Sequence, residues 1–242
     1  MQMLMSRMRA AMEKYDMIAD GDTIAVGVSG GKDSLALLYA LSEMRRFYPK
    51  NFEVKAITAD MCFFGKPTDF SEITRLCEKL GVQHIIRKTE LYHIIFEVRK
   101  ESNPCSLCAR MRRGILHDMA KEEGCNKLAL GHHMDDAAET FMMNLLSGGR
   151  IESFRPVTYL SRKDLYMIRP MIYASEKEVL SAAKKTELPT VESPCPEDKT
   201  SNRSEMKKLI HELENTYPAL REKIIGGMEK ADISGWKSKK EN

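Results

Sequence analysis

Short apolar runs alternate with amphipathic stretches along most of the chain. The runs, rich in Val, Ile and Ala, predict buried parallel strands at 23–29, 52–58, 83–87 and 127–130, with a short one near 165–168. Apolar residues at helical spacing predict helices at 35–41, about 69–80, 108–124, 135–146 and near 175–185, with a helical region after Ser204. This alternation indicates an α/β fold, a doubly wound, mostly parallel sheet with helices on both faces.

The two ends of the chain lie outside this alternation. Met1, Met5, Met8 and Met12 repeat at helical spacing, which predicts the buried stripe of an N-terminal helix. We therefore divide the chain into an N-terminal helix (1–20), an α/β domain (21–190) and a C-terminal region (191–242). The polar final segment, SGWKSKKEN, predicts a disordered tail.

Composition narrows the class of protein. The 242 residues carry a net charge of +3, which permits a nucleic-acid partner without requiring one. No apolar run approaches the roughly 20 residues that span a bilayer, and arginines near the N-terminus argue against a signal peptide. We therefore expect a cytoplasmic protein with no membrane partner. In that reducing compartment the six cysteines should be free, catalytic or metal-binding.

The segment SGGKDS, residues 29–34, lies between the first predicted strand and its helix, and we call it the phosphate loop. Gly30 and Gly31 permit a turn whose amides converge on an anion at the positive end of the helix. The spacing differs from that of a Walker A loop. A carboxylate at Asp33 suits a bound phosphate when a divalent cation lies between them, although a plain helix-capping role explains it equally well.

Two further segments follow predicted strands and should reach the same edge of the sheet, where this class of fold binds ligands. Their residues are Ala59, Asp60 and Met61 in one, and Gly131, Asp135 and Asp136 in the other. The aspartate pair is placed to hold Mg²⁺ or to orient a phosphate. Two alternatives remain, a pair that only complements the helix dipole and a zinc site of His132, His133 and Asp136, which lacks a standard spacing.

Cys105 and Cys108 are separated by two residues at the start of a predicted helix, whose dipole favours thiolates. Such a pair alone fits a redox dithiol, half of a zinc site or a coincidence. Cys195, in a polar loop stiffened by prolines, is the best further ligand. Three cysteines can hold a [4Fe-4S] cluster and leave one iron open, as a sulfur-transfer site needs. The remaining cysteines are Cys62, which has no assigned role, and Cys77 and Cys125, which suit a core.

The phosphate loop resembles the PP-loop of the ATP pyrophosphatase families, which cleave ATP between its α and β phosphates. Together with PCSLCARMRRG, GHHMDDAAET and the pair Arg169–Pro170, it makes most of the chain similar to the tRNA 2-thiocytidine synthetases, the TtcA family. The resemblance implies that residues 21–190 form a PP-loop ATP-binding domain. It also implies ATP, Mg²⁺ and a [4Fe-4S] cluster as cofactors, tRNA as the partner and, weakly, a homodimer.

The resemblance also assigns roles to individual residues. ATP would bind at Ser29, Gly30, Gly31, Lys32, Asp33, Ser34, Ala59, Asp60, Met61 and Gly131. The catalytic residues would be Lys32, Asp33, Asp135 and Asp136, and the cluster ligands Cys105, Cys108 and Cys195. Arg110, Arg112 and Arg113 would meet the tRNA backbone, unless they form an ordinary charged helix face. In the implied reaction a pyrimidine C2 oxygen, here that of cytidine, attacks the α-phosphate of ATP, and sulfide on the open iron then displaces AMP.

One region departs from the family pattern. Family members usually carry a second Cys-x-x-Cys there, whereas this chain has Cys195 alone. The nucleoside, the tRNA position and the sulfur donor, either sulfide or a persulfide from a cysteine desulfurase, therefore stay open. Three other functions also remain. The first is a lysidine synthetase-like ligase, which would leave the cysteines unexplained. The second is a persulfide relay on Cys105 and Cys108, which needs no cluster. The third is a non-catalytic, metal-stabilised RNA-binding module, which would leave the phosphate loop without a function.

Overall fold

Strands and helices alternate as predicted in the computed structural model, which describes residues 1–99, 104–192, 194–195 and 202–237. The strands are β1 (Asp22–Gly27), β2 (Phe52–Asp60), β3 (Gln83–Lys88), β4 (Lys127–Ala129), β5 (Val157–Leu160) and β6 (Leu165–Ile168). The helices are α1 (Gln2–Lys14), α2 (Lys32–Met44), α3 (Ser71–Lys79), α4 (Pro104–Glu122), α5 (Met134–Gly148), α6 (Glu176–Lys185), α7 (Asn202–Glu214) and α8 (Leu220–Lys230). The predicted α/β fold class is confirmed.

The sheet has the order β3-β2-β1-β4-β6-β5. Strands β1, β2, β3, β4 and β6 are parallel, and β5 pairs antiparallel with β6 at the edge. The chain adds β2 and β3 on one side of β1 and then β4 and β6 on the other. The connections that leave β1 and β4 therefore diverge, which opens a crevice beyond their carboxyl ends, the usual ligand position in such sheets.

The sequence patterns did not predict strand β5 or a short π-helix. Strand β5 has an exposed edge residue, Tyr159, and its conformation depends on pairing with β6, which no local pattern reveals. A short π-helix, His93–Val98, occupies part of a stretch that sequence analysis left irregular. Within the described ranges, no helix combines the length and apolar character that crossing a bilayer requires.

Both ends of the chain join the core that forms between α2 and the sheet. Met8 and Met12 of α1 are fully buried in the same cluster as Met228 of α8 and Trp236. The Trp236 indole donates a hydrogen bond to the carbonyl of Phe154 at 3.1 Å. The prediction of a disordered tail is therefore wrong as far as Trp236, and residues 238–242 lie outside the described part. The division at 1–20, 21–190 and 191–242 stays a prediction, since all three segments contribute to this core.

Candidate active site

A cleft of about 460 Å³ opens at the carboxyl edge of the sheet. It brings together predicted site residues from four segments. These are Ser29, Asp33 and Ser34 of the phosphate loop, Ala59, Asp60 and Met61 at the end of β2, Gly131 and Asp136 after β4, and Cys105, Cys108 and Arg112 of α4. Cys195 lines the same cleft from a fifth segment, together with Val191, Glu192 and Pro194. The remaining predicted residues, Gly30, Gly31, Lys32, Asp135, Arg110 and Arg113, lie outside its lining.

The phosphate loop is held in shape by its own serines. The Ser34 hydroxyl donates to the carbonyl of Gly31 at 2.9 Å and accepts from the amide of Ser29 at 3.1 Å. Gly30 has a φ of +89°, a left-handed conformation that favours glycine. Gly31 caps α2 in an extended conformation without a side-chain cap, so the first amides of α2 remain available to an anion beside the cleft.

Lys32 lies in a network of charges at the start of α2. Its Nζ is 3.0 Å from Asp33 Oδ1 and 3.4 Å from Glu176 Oε1, and Lys207 of α7 pairs with the same glutamate at 2.5 Å. Burial lowers the pKa of Lys32, but the two carboxylates outweigh it and hold that pKa above its ordinary value. The ammonium therefore stays charged beside the phosphate loop.

The two aspartates at the start of α5 face different surroundings. Asp135 is buried, where its Oδ2 accepts the amide of Glu176 at 2.7 Å and its Oδ1 lies 2.9 Å from Nε of Arg221. Asp136 lines the cleft and accepts the amide of His133 at 3.0 Å in a capping box. The geometry therefore gives Asp135 a structural environment and leaves Asp136 as the cleft carboxylate.

His133 connects the carboxylates of this region. It is buried, with its Nδ1 3.4 Å from Asp136 Oδ2 and its Nε2 3.9 Å from Asp33 Oδ1. A Cβ at Gly131 would lie 3.1 Å from the Asp33 carbonyl carbon, so a glycine there lets the segment after β4 pack directly on α2. His133 is the N-cap of α5, a role that the sequence did not predict, since it suggested His133 only as a zinc ligand.

Asp60 organises the loop that follows β2. Its carboxylate accepts the amide of Cys62 at 3.1 Å, and both the amide and the hydroxyl of Thr68, at 3.0 and 2.9 Å. These bonds use the buried carboxylate to close the loop, which places Met61 and Phe63 along the cleft. The structure therefore supports a scaffolding role for the Asp60 side chain.

The three predicted cluster ligands line the cleft, with Cys105 exposed and Cys108 and Cys195 half-buried. Burial raises the pKa of the Cys108 thiol, and the nearby Arg112 guanidinium only partly opposes this. The expectation that the helix dipole favours thiolates at Cys105 and Cys108 stays a prediction. Among the described residues, no three His, Cys, Asp or Glu side chains are close enough to hold a metal ion as they stand. Cys77 and Cys125 are buried core residues, as predicted.

The arginines of α4 are exposed, and Arg112 is the one that lines the cleft. Arg113 donates through Nε to the carbonyl of Ala109 at 3.2 Å. Arg169 is buried and stacks on Phe154, with its Cζ 4.8 Å from the ring centroid, and burial lowers its pKa to about 10. The cleft walls also include residues that sequence analysis missed, namely Phe63, Thr68, Phe70, Phe96, Val191 and Glu192. Nothing in the sequence indicated that these residues line the cleft, other than the position of some of them near predicted site residues.

Comparison with known proteins identifies the family of this chain. The sequence matches the PP-loop domain family (ATP_bind_3) over residues 3–213. It is 39% identical to the tRNA-cytidine(32) 2-sulfurtransferase of Geobacter sulfurreducens, over 89% of this chain and 84% of the relative. It is also 39% identical to the protein of the same name from Syntrophotalea carbinolica, over 90% of this chain and 85% of the relative.

One solved structure shares both the fold and part of the sequence. The U34-tRNA thiolase NcsA from Methanococcus maripaludis, determined with its [4Fe-4S] cluster, superimposes with a TM-score of 0.76 at 30% sequence identity. The match covers 93% of this chain and 77% of that one.

Proposed function

We propose that this chain, which belongs to the PP-loop family and within it to the TtcA-like tRNA thiolation enzymes, converts cytidine 32 of tRNA to 2-thiocytidine with ATP. The position is the one in the names of its relatives. One observation carries the proposal, namely that the phosphate loop and Cys105, Cys108 and Cys195 line a single cleft. The reaction needs this arrangement because the same C2 atom must be activated by ATP and then receive sulfur.

Activation replaces a poor leaving group with a good one. The C2 carbonyl oxygen attacks the α-phosphate of ATP, the bond to the β-phosphate breaks, and pyrophosphate leaves. The first amides of α2, which have no side-chain cap, would bind the departing phosphates, and Lys32 would supply positive charge as negative charge develops. When sulfur bonds to C2, the C–O bond breaks and AMP leaves with the original oxygen.

Mg²⁺ suits the carboxylates of the cleft. Asp33 and Asp136 both line it, and His133 lies between their oxygen atoms. Mg²⁺ is commonly bound by one or two carboxylates together with substrate phosphates and water, so two aspartates beside a phosphate loop fit it without a third protein ligand. We assign Asp33 to the ion and Asp136 to orienting either the ion or a phosphate.

Cys105, Cys108 and Cys195 are the residues that would hold a [4Fe-4S] cluster. Their thiols are the donors that iron–sulfur clusters take, and their shared position along one cleft fits the group. When bound by three cysteines, such a cluster supplies an iron at which sulfide can be held. The apolar walls formed by Met61, Phe63 and Leu116 would keep water away from the activated base.

The remaining assignments concern partners. Arg110, Arg112 and Arg113 would contact tRNA phosphates, because all three are exposed on the helix that carries two of the cysteines. Sulfide or a persulfide from a cysteine desulfurase would supply the sulfur. We place the reaction in the cytoplasm, where ATP and tRNA are available and cysteines stay reduced, and a homodimer stays a prediction.

The direct test is a product analysis. Anaerobically reconstituted protein is incubated with ATP, Mg²⁺, sulfide and a tRNA transcript with cytidine at position 32, and the digested nucleosides are identified by mass spectrometry. We expect 2-thiocytidine only when ATP is present, and none from a matched transcript with uridine at position 32. A lysine adduct in a parallel reaction that contains lysine in place of sulfide would identify a lysidine synthetase. Full thiolation by iron-free protein that receives a cysteine desulfurase, cysteine and a thiol reductant in place of sulfide would favour a persulfide relay.

A further inference from the structure

Four aromatic side chains, two from the loop after β2 and two from the segment between β3 and α4, form a continuous cluster. The Tyr92 ring lies 4.8 Å from Phe64, 5.6 Å from Phe63 and 5.1 Å from Phe96, measured between ring centroids. Tyr92 is buried, whereas Phe64 is 59% exposed. One member of the cluster therefore offers a ring to solvent, and the others support it from beneath.

The cluster reaches the cleft. Phe63 and Phe96 line it together with Cys108, and both rings pack in the same apolar group as Met111 of α4. Arg112, the next residue of that helix, also lines the cleft. An exposed ring, a wall of the cleft and a positively charged helix thus form one connected surface.

The loop holds Phe64 in its exposed position. Cys62 and Phe64 both have left-handed backbone conformations, with φ values of 48° and 54°. Residues other than glycine seldom adopt this conformation. The Asp60 carboxylate fixes the same loop through the amides of Cys62 and Thr68. Strained backbone conformations concentrate at functional sites. An aromatic ring that such a loop holds in solvent is therefore a candidate contact for a ligand.

We propose that Phe64 stacks against a nucleobase adjacent to the cytidine that enters the cleft. This inference rests on the proposed function. A single-stranded RNA base fits the surface because an unstacked base presents a π-face to aromatic rings, and its phosphates suit neighbouring cations. Lys66 is exposed two residues from Phe64, and Arg112 lies at the cleft. Stacking of a neighbour would also offset the cost of withdrawing the target base from its own stack.

A double-mutant cycle tests the contact. Equilibrium binding to an anticodon stem-loop RNA is measured for the wild type and Phe64→Ala, using the intact RNA and two RNAs that carry an abasic site on either side of the target cytidine. Loss of one stacked base should weaken binding about tenfold. We expect one abasic RNA to weaken wild-type binding and to cause no further loss in Phe64→Ala, which shows that ring and base act together.

Three further variants provide controls. Phe47 is 54% exposed and follows α2 at the opposite edge of the sheet, so Phe47→Ala should bind RNA as the wild type does. Phe64→Trp should retain affinity and Phe64→Leu should lose it, because only the former keeps an aromatic face. Additive losses at both flanking positions, or a Phe64→Ala variant that changes the oligomeric state but not RNA binding, would overturn the inference. RNA binding that depends on Phe64 without any thiolation would instead contradict only the proposed function.

Discussion

The backbone amide of Val191 donates a hydrogen bond to the carbonyl of Gly30 at 3.0 Å. This bond joins the segment that leads to Cys195 to the middle of the phosphate loop. The Val191 side chain is equally close, since its Cβ lies 3.2 Å from the point where a Cβ at Gly30 would be. Cys195, the third cysteine, therefore follows by four residues a residue that is hydrogen-bonded to the phosphate loop.

This contact makes Gly30→Ala more damaging than Gly31→Ala. Alanine at residue 30 would have to adopt a φ of +89° and press against Val191, with an expected cost of about 1–3 kcal/mol in the free energy of unfolding. Gly31 has a φ of −77°, and its nearest neighbour for a Cβ is Ser29 Oγ at an ordinary 3.5 Å. Denaturant unfolding of both variants measures the difference, and equal stabilities would refute the strain.

Asp33→Ala should abolish ATP-dependent thiolation while the protein stays folded. The side chain is 32% exposed, so its removal costs little stability, but it takes away a carboxylate that we assign to Mg²⁺. Asp69→Ala is the matched control, because Asp69 is also close to the start of a helix but lies outside the cleft lining. Normal turnover by Asp33→Ala would reject the assignment of the phosphate loop.

Asp135→Asn and Asp136→Asn should fail in different ways. The buried pair of Asp135 with Arg221 means that Asp135→Asn should lower the free energy of unfolding by about 1–3 kcal/mol. Asp136→Asn should mainly lower the turnover rate, because Asp136 lines the cleft. Thermal unfolding and thiolation rates, measured on the same preparations, separate the two effects. A stable but inactive Asp135→Asn would return Asp135 to the catalytic set.

Replacing Arg112 and Arg113 with alanine should weaken tRNA binding and flatten its salt dependence. Each lost phosphate contact should reduce the slope of log K against log salt by about one unit. Arg46→Ala with Arg75→Ala is the control, since it removes equal charge from exposed pairs with Glu43 and Glu72. An unchanged affinity across the salt series would leave Arg112 and Arg113 as an ordinary charged helix face.

Cys195→Ser should lose cluster iron and thiolation but still bind ATP. Two cysteines alone would leave two irons of a cubane cluster without protein ligands, so the cluster would be readily lost. Cys77→Ser and Cys125→Ser change buried core cysteines and should retain the cluster. Iron analysis per folded chain is the measurement. Wild-type iron content in Cys195→Ser would direct attention to Cys62.

Local patterns predicted most of this fold because its central strands, β1 and β4, are largely buried on both faces and its helices are amphipathic. They failed where pairing with another strand decides the conformation, as β6 does for β5. The aspartate pair shows a similar limit at the site. Successive side chains of a helix point about 100° apart around its axis. Asp135 and Asp136 therefore face different directions, and only one of them faces the cleft. Which one depends on Arg221, 86 residues further along the chain.

The burial of Trp236 supplies a built-in optical reporter. It is the single tryptophan of the sequence, fully buried, and its ring meets that of Tyr15 edge-on at 6.3 Å. The Trp236 indole is hydrogen-bonded to the carbonyl of Phe154. The Phe154 ring lies 5.0 Å from the ring of His132, which lines the cleft. Indole emission should therefore be blue-shifted in the native protein and move to the red when the two ends of the chain separate, without any attached dye.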